Sequence, residues 1–192
     1  QDEALYRVLK ETIIASQDIR FEGDGYSEEW RQEAARRGLT NICHVPEAIM
    51  KFNAPQSKAV LLGENIFNEN ELNCRIEVEL EKFTKKVQIE SRVLGDLAIN
   101  HIIPTAVIYQ NRLLENLRGL RETFSPEEYE QLGADRRELV KDIQIRILAI
   151  KQLVRKMTEA RKISNHLPSQ IEKAFSYADT VRPYLDEIRN HI

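Results

Sequence analysis

The segment from Lys85 to Asn111, KKVQIESRVLGDLAINHIIPTAVIYQN, constrains the fold of this chain more than any other. Its spacing predicts one long helix with apolar residues on more than one face. A helix that is exposed to solvent on one side needs only a single apolar stripe. We therefore expect neighbouring helices to surround it. Polar residues lie among the apolar ones, and a buried polar group without a partner costs about 1–3 kcal/mol. These residues are Gln88, Ser91, Asp96, Asn100, His101, Thr105 and Gln110.

Two apolar stripes run along this helix from about Glu71. The first keeps a four-three alternation and comprises Ile76, Leu80, Phe83, Val87, Leu94 and Leu97. The second stripe comprises Ile89, Val93, Ile99 and Ile103. It lies on another face, so we expect this helix to be buried from two sides. Pro104 removes one hydrogen bond of the helical ladder, so we expect a kink there rather than a restart. Helical spacing continues to about Arg121.

The rest of the chain also has helical spacing, interrupted by Gly and Pro. Ser27 is a predicted N-cap, Ser125-Pro126 starts another helix, and Gly133 is expected to end it after Leu132. The predicted helices span about residues 3–19, 27–37, 46–50, 56–62, 71–121, 125–132 and 135–165. Leu167-Pro168-Ser169 is expected to break the chain before a last helix, which carries apolar residues from Ile171 to Ile188 and kinks or splits at Pro183. The pattern predicts an all-α fold: a helical bundle built on three long antiparallel helices, plus an N-terminal helix and short connecting helices. We expect a single helical domain, 1–192, with short helices and loops in 1–70 and the long-helix bundle in 71–192.

Composition and charge exclude several classes of protein. With 42% hydrophobic and 31% charged residues, the chain is typical of a soluble, helix-rich protein. The net charge is −3 with interleaved signs, which predicts no nucleic-acid partner, and no uncharged run is long enough to cross a membrane. Cys43 and Cys74 are predicted to be reduced thiols of a cytoplasmic protein, and Cys43 with His44 supplies too few ligands for zinc.

Asp96, Asn100 and His101 come nearest to a functional site. Asp96 and Asn100 share a helix face, but a metal would need further ligands from another helix. A ferritin-like dimetal bundle requires Glu-x-x-His pairs, and each of the four histidines lacks a Glu three residues before it. We expect these three residues to form a hydrogen-bonded polar layer that fixes helix register.

The other candidates are also better explained structurally. Glu77, Glu79, Glu81 and Glu90 are expected to form surface pairs with lysines. The loop Gly23–Ser27 lacks the lysine of a phosphate-binding loop, and Tyr26 and Trp30 are expected to be packing anchors. No Ser or Cys has a nearby base in sequence. We predict no catalytic, cofactor-binding or metal-binding residue in this chain.

Long, ordered sequence blocks nevertheless resemble a known family. The blocks are KKVQIESRVLGDLAINHIIPTAVIYQNRLLENLRGL from Lys85, GDGYSEEWRQEAARRGLTN from Gly23, MTEARKISN from Met157 and ADTVRPYLDEIRNHI from Ala178. Together they are similar to the C-terminal helical region of type III glutamine synthetases, and the resemblance covers nearly the whole chain. The start at Gln1 without Met also suggests part of a longer polypeptide.

The resemblance implies a function for the parent protein rather than for this region. Such enzymes join ammonia to glutamate, using ATP and Mg²⁺ or Mn²⁺, and assemble as two stacked hexameric rings in the cytoplasm. Their catalytic residues lie on an upstream domain, and none of those motifs matches a position here. The resemblance therefore implies that this bundle supports the upstream catalytic domain of the same chain and contributes to subunit contacts.

Two other functions remain open on the residues alone. One is an autonomous helical adaptor that binds a partner helix in a groove. The other is a ferritin-like metal enzyme, which would contain bound iron or manganese.

Overall fold

A computed structural model describes residues 2–192. Within them the chain is 83% helical and contains no strand, which confirms the all-α prediction. The α-helices are α1 (Asp2–Ala15), α2 (Glu28–Arg36), α3 (Val45–Met50), α4 (Pro55–Gly63), α5 (Glu69–Leu97), α6 (Ile103–Thr123), α7 (Pro126–Asn165), α8 (Gln170–Ser176) and α9 (Pro183–Arg189). Two compact units divide the chain between Cys43 and His44. The expectation of a single domain stays a prediction.

The first unit contains α1 and α2. Helix α2 begins where the sequence predicts, because the Ser27 side chain accepts a hydrogen bond from the Trp30 N–H at 3.2 Å. It ends before Gly38, whose φ of 68° is the left-handed conformation that favours glycine after a helix. The Trp30 ring packs on Phe21 at a centroid distance of 4.9 Å.

Helix α1 is amphipathic, but its apolar face is open to solvent. No residue of α1 is buried. Its large apolar side chains are between 51% and 66% exposed, namely Leu5, Tyr6, Val8, Leu9, Ile13 and Ile14. Packing within this chain therefore contributes little to the stability of α1.

The second unit is organised by one helical rod of 55 residues, from the start of α5 to the end of α6. A capping box fixes its beginning: the Asn68 side chain accepts from the Glu71 N–H at 2.9 Å, and Glu71 accepts from the Asn68 N–H at 2.8 Å. The sequence predicted the helix only from about residue 71, so this cap was missed.

The rod passes Pro104 without ending. The five residues Ala98–Ile102 form a π-helical turn, in which the Ile103 N–H bonds to the Ala98 carbonyl. This wider turn accommodates a ring that would otherwise meet a carbonyl of the preceding turn. The same arrangement occurs at Pro183, where the Arg182 N–H donates to the Tyr177 carbonyl at 2.9 Å within the π turn Tyr177–Val181.

Helix α7 is a single helix of 40 residues, so the predicted end at Gly133 is wrong. Its start at Ser125 is confirmed, and a capping box joins Ser125 to Glu128. Gly133 is buried against α6, and a methyl group at that position would lie 3.2 Å from Leu117. The glycine permits close helix packing and does not end the helix.

Two buried clusters form the core of the second unit. The larger joins α5, α6, α7 and the last helices, and the smaller joins the first half of α5 to α8. The larger comprises Val87, Ala98, Ile103, Ile147, Ile150, Met157, Tyr177, Val181, Leu185 and Ile188. The smaller comprises Leu72, Ile76, Leu80 and Ala174.

The predicted second stripe of the rod is mostly uncovered, which corrects the expectation of burial from two sides. Ile89 is 61% exposed, Val93 51% and Ile99 36%, and only Ile103 is buried. Leu97, assigned to the first stripe, is also 43% exposed. The described chain has too few helices to surround this rod.

Beyond the core, α6 and the first half of α7 pack on each other as a two-helix arm, residues 107–142. Neither core cluster draws a residue from this range. The buried residues of the arm are Gln110, Leu117 and Gly133. The Gln110 amide donates to the Val140 carbonyl at 3.0 Å and so joins the two helices.

Candidate functional site

The residues that came nearest to a predicted site do not form a buried layer. Asp96, Asn100 and His101 are all exposed. The Asn100 amide donates to Asp96 Oδ1 at 2.7 Å within one turn, and neither bonds to another helix. The predicted polar layer is therefore wrong, because these positions belong to the uncovered side of the rod.

The carboxylates of α5 form surface pairs, as expected for two of them. Glu81 pairs with Lys85 at 2.7 Å and Glu79 with Lys82 at 2.8 Å. Hydrogen bonds from these lysines lower the pKa of each carboxyl. Such exposed pairs contribute little to stability and keep the carboxylates ionised at neutral pH.

The glycine-rich turn before α2 serves as a helix start. Ser27 is its N-cap, and the Asp24 side chain accepts from the Tyr26 N–H at 2.9 Å. Trp30 is half-buried, as a packing residue should be. Tyr26 is 95% exposed, so its predicted role as a packing anchor is wrong.

A polar cluster that sequence analysis missed joins three helices. The Tyr177 hydroxyl donates to Asn165 Oδ1 at 2.8 Å, and the Gln88 amide donates to the same oxygen at 3.2 Å and to the hydroxyl at 3.3 Å. Tyr177 is fully buried, and burial raises the pKa of its phenol. The heptad-like spacing of Ala174, Tyr177 and Val181 is the signal that could have placed this ring in the core.

Other buried polar side chains also find partners across helices. Gln170 donates to Thr84 at 3.1 Å, and the hydroxyls of Ser164 and Ser176 lie 2.8 Å apart. Among residues 2–192 no buried side-chain nitrogen or oxygen lacks a hydrogen-bond partner. These bonds satisfy buried groups and fix how the helices meet.

His44 is held by neighbours that explain its position. Its Nδ1 accepts from the Glu47 N–H at 3.2 Å and caps α3, so Nε2 carries the proton that it donates to Asp179 at 3.0 Å. Its ring lies 5.1 Å from the Phe175 ring. Within the described chain the imidazole is hydrogen-bonded to Asp179 and Glu47 and to no hydroxyl or thiol.

The grooves of the second unit are open and of mixed polarity. One of ≈ 780 Å³ lies along the start of α5, where the Arg75 guanidinium stacks 5.6 Å from the Phe67 ring. Another of ≈ 500 Å³ lies between α3 and α5 and is bordered by Lys82, Lys86 and Arg182. The larger groove is lined by Cys74 together with Glu71, Glu79 and Lys82, and within the described residues no hydrogen bond joins the Cys74 thiol to an acid or a base.

Across the described range, no three His, Cys, Asp or Glu side chains converge as metal ligands. Cys43 and Cys74 are free and exposed. Each helix between residues 2 and 192 is too short or too polar to cross a membrane.

Comparison with known proteins gives one consistent family. The model of the glutamine synthetase C-terminal domain matches residues 4–121. A glutamine synthetase of Bacteroides fragilis is 71% identical over all 192 residues, which cover 26% of that protein. A type-3 glutamine synthetase of Dictyostelium discoideum is 26% identical over 97% of this chain and 25% of its own length. A Butyrivibrio fibrisolvens glutamine synthetase is 26% identical over 98% of this chain. The chain thus spans about a quarter of the length of these relatives.

Proposed function

Because this chain belongs to the glutamine synthetase C-terminal domain family, we propose that its parent protein is a glutamate–ammonia ligase. The parent would join ammonia to glutamate at the expense of ATP and would work in the cytoplasm. The names of the relatives support the ligase activity. The two exposed free thiols suit a reducing compartment.

We infer that the 192-residue region itself supports and helps to assemble the enzyme. The observation that carries this proposal is the bare apolar stripe of α5, where Ile89 and Val93 are each more than half exposed. Burying such a side chain contributes about 1.5–3 kcal/mol, and contiguous exposed apolar patches usually mark interaction sites. The family membership favours this function over an autonomous adaptor.

Polypeptide outside this region can cover the stripe. About three quarters of the length of the relatives lies outside the region that this chain matches. We propose that this remaining polypeptide, in the same subunit or in a neighbouring one of a ring-shaped homo-oligomer, packs on Ile89, Val93 and Leu97. The α5 rod would then be buried from two sides in the assembled enzyme.

The carboxylates of α5 do not fit the metals that the family implies. Mg²⁺ and Mn²⁺ prefer clustered carboxylate ligands, whereas Glu79 and Glu81 are each paired with a lysine and Asp96 is bonded to Asn100. We propose that ATP and metal are held by other parts of the parent.

The ligase and support proposals can be tested separately in the full-length parent. Glutamine formation from glutamate, ammonia and ATP is measured first, and its absence in the purified wild-type protein would refute the ligase proposal. The double variant Ile89→Gln, Val93→Gln is then compared by sedimentation and activity with the control Glu77→Gln, Glu90→Gln on the same helix.

If other parts of the enzyme cover the stripe, the variant Ile89→Gln, Val93→Gln should form smaller particles and have reduced activity. The control variant should not. Each replacement would bury an amide without a hydrogen-bond partner and remove apolar burial. Each of these two effects costs about 1–3 kcal/mol of free energy. If the variant Ile89→Gln, Val93→Gln has the sedimentation and the activity of the wild type, this face has no role in assembly or support.

A further inference from the structure

Two arginines, Arg92 and Arg161, lie one helical turn from residues of the Tyr177 cluster. Arg92 follows Gln88 by one turn of α5, and Arg161 precedes Asn165 by one turn of α7. Because the Gln88 amide bonds to Asn165 at 3.2 Å, the two arginines lie close to a point where the helices touch.

A second contact fixes the direction of the helices. A methyl group on Gly95 of α5 would lie 3.5 Å from Val154 and 3.6 Å from Met157 of α7. Residue numbers therefore rise along α5 as they fall along α7, so the helices are antiparallel. Arg92 and Arg161 both lie between the two contacts, on facing sides of the same seam.

The charges of this pair are uncompensated among the described residues. Arg36, Arg137 and Arg146 each reach a carboxylate within 3.0 Å. Neither Arg92 nor Arg161 forms an ion pair or a side-chain hydrogen bond within the part of the chain that the structure describes. Burial lowers the pKa of Arg161, and the positive charge of Arg92 lowers it further. Two like charges therefore lie in the same seam, and no described carboxylate pairs with either of them.

Neighbouring groups add a donor to the pair. Asn165 Oδ1 accepts both hydrogen bonds of the cluster, from Tyr177 and from Gln88, so the Asn165 amide retains its N–H groups as donors. Two guanidinium groups and an amide offer the planar donor arrangement that carboxylate and phosphate oxygens accept.

We propose that Arg92 and Arg161, with the Asn165 amide, form an oxyanion site for a carboxylate or phosphate group. The anion would neutralise the repulsion between the guanidinium groups and join α5 to α7 at this point. It could be a free small anion or an acidic side chain of the remaining parent polypeptide, and both sources present the same chemistry. The site does not depend on the ligase activity.

Arginine labelling of the full-length parent tests the site and identifies the source. Phenylglyoxal modifies accessible guanidinium groups, and mass spectrometry of the peptides reports Arg92 and Arg161 separately. Arg155, an exposed residue of α7, is the internal control. Labelling is measured with inorganic phosphate, without it, and in about 1 M NaCl, which screens surface charge pairs.

A free anion predicts that phosphate protects both arginines and not Arg155. Protection follows 1 + [L]/Kd, so at twice Kd labelling falls about threefold. An acidic side chain of the parent predicts instead slow labelling without phosphate, no phosphate effect, and faster labelling in high salt. Labelling of both arginines that neither phosphate nor salt changes would overturn the proposal.

The variant Arg161→Gln checks that the arginines act as a pair. It should remove the response of Arg92 to phosphate or salt, whereas Arg155→Gln should leave that response unchanged. Helix content measured by circular dichroism confirms folding of both variants. A response of Arg92 that survives Arg161→Gln would overturn the paired site.

Discussion

The Tyr177 side chain combines the burial of a core residue with the hydrogen bonds of a polar one. Its ring is fully buried, and its hydroxyl contacts Asn165 and Gln88 at 2.8 and 3.3 Å. The hydroxyl therefore helps to fix how α5 and α7 meet the last helices, in addition to filling space.

Removing this hydroxyl should destabilise the fold modestly. We expect Tyr177→Phe to lower the free energy of unfolding by about 1 kcal/mol, because two hydrogen bonds are lost and the Asn165 oxygen keeps one donor. Urea unfolding followed by circular dichroism measures the change. Tyr26→Phe, at a position 95% exposed, is the matched control and should have no effect. Equal stability of the two variants would contradict the structural role of the cluster.

The ion pairs of Glu33 in α2 predict that the stability of the folded state depends on pH only at acidic pH. Hydrogen bonds from Arg36 and Arg37 lower the pKa of this carboxyl from 4.5 to about 2. A depressed pKa stabilises the folded state above the unfolded value, so the contribution is complete above pH 4.5 and is lost as the pH falls towards 2. Thermal unfolding of wild type and Glu33→Gln should differ above this window and converge below it. The control Glu29→Gln should follow the wild type, and a constant Glu33→Gln difference down to pH 2 would refute the pairing.

Residue roles were predictable from sequence where they depend on near neighbours. The caps at Ser27 and Ser125 are local patterns, and the structure confirms both. Gln88 and Tyr177 are 89 residues apart in sequence and meet only because three helices pack together. Periodicity along one helix contains no information about such a meeting.

At the scale of elements, the α5–α6 rod and the shorter α8–α9 segment each contain a π turn just before a proline. The turns Ala98–Ile102 and Tyr177–Val181 precede Pro104 and Pro183. An extra residue in the turn lets the helix continue where a proline in regular α-helix would lose a hydrogen bond and clash. The sequence identified the prolines but not this solution, because a kink, a break and a π turn all begin with the same residue.

A deletion tests whether the π turn exists for the proline. Removing Asn100 should convert the turn to regular α-helix without rotating the residues that follow. Pro104 then lies in a helix interior, where proline costs about 3 kcal/mol relative to alanine. We expect the deletion combined with Pro104→Ala to be more stable than the deletion alone by about that amount. Thermal unfolding provides the comparison, and equal stability would show that the turn has another cause.

For the whole molecule, the core and the exposed faces were not distinguishable from sequence. Leu72 and Leu9 both occur at helical spacing, yet Leu72 is fully buried and Leu9 is 52% exposed. An apolar stripe predicts that a helix will pack on something, but not whether the partner belongs to the same 192 residues. The family resemblance matched this chain to about a quarter of the length of its relatives, which periodicity could not do.

These two leucines give a direct test of what this chain covers. In the isolated chain, Leu72→Ala should cost about 2–5 kcal/mol and Leu9→Ala about 0.5 kcal/mol or less. In the full-length parent, Leu9→Ala should become costly if the remaining polypeptide packs on α1. Chemical unfolding of both proteins measures the four values. A large cost of Leu9→Ala in the isolated chain would contradict the open face of α1.

The arm of residues 107–142 has a consequence for how the protein moves. Since its two helices bury little besides Leu117, Gly133 and Gln110, they can separate while both core clusters stay intact. Such a segment behaves as its own foldon, with an opening free energy below that of global unfolding. Amide hydrogens near Leu117 should therefore exchange with deuterium well before those near Ile150, and proteases should cut the connection around Phe124 before they cut α7 near Ile150.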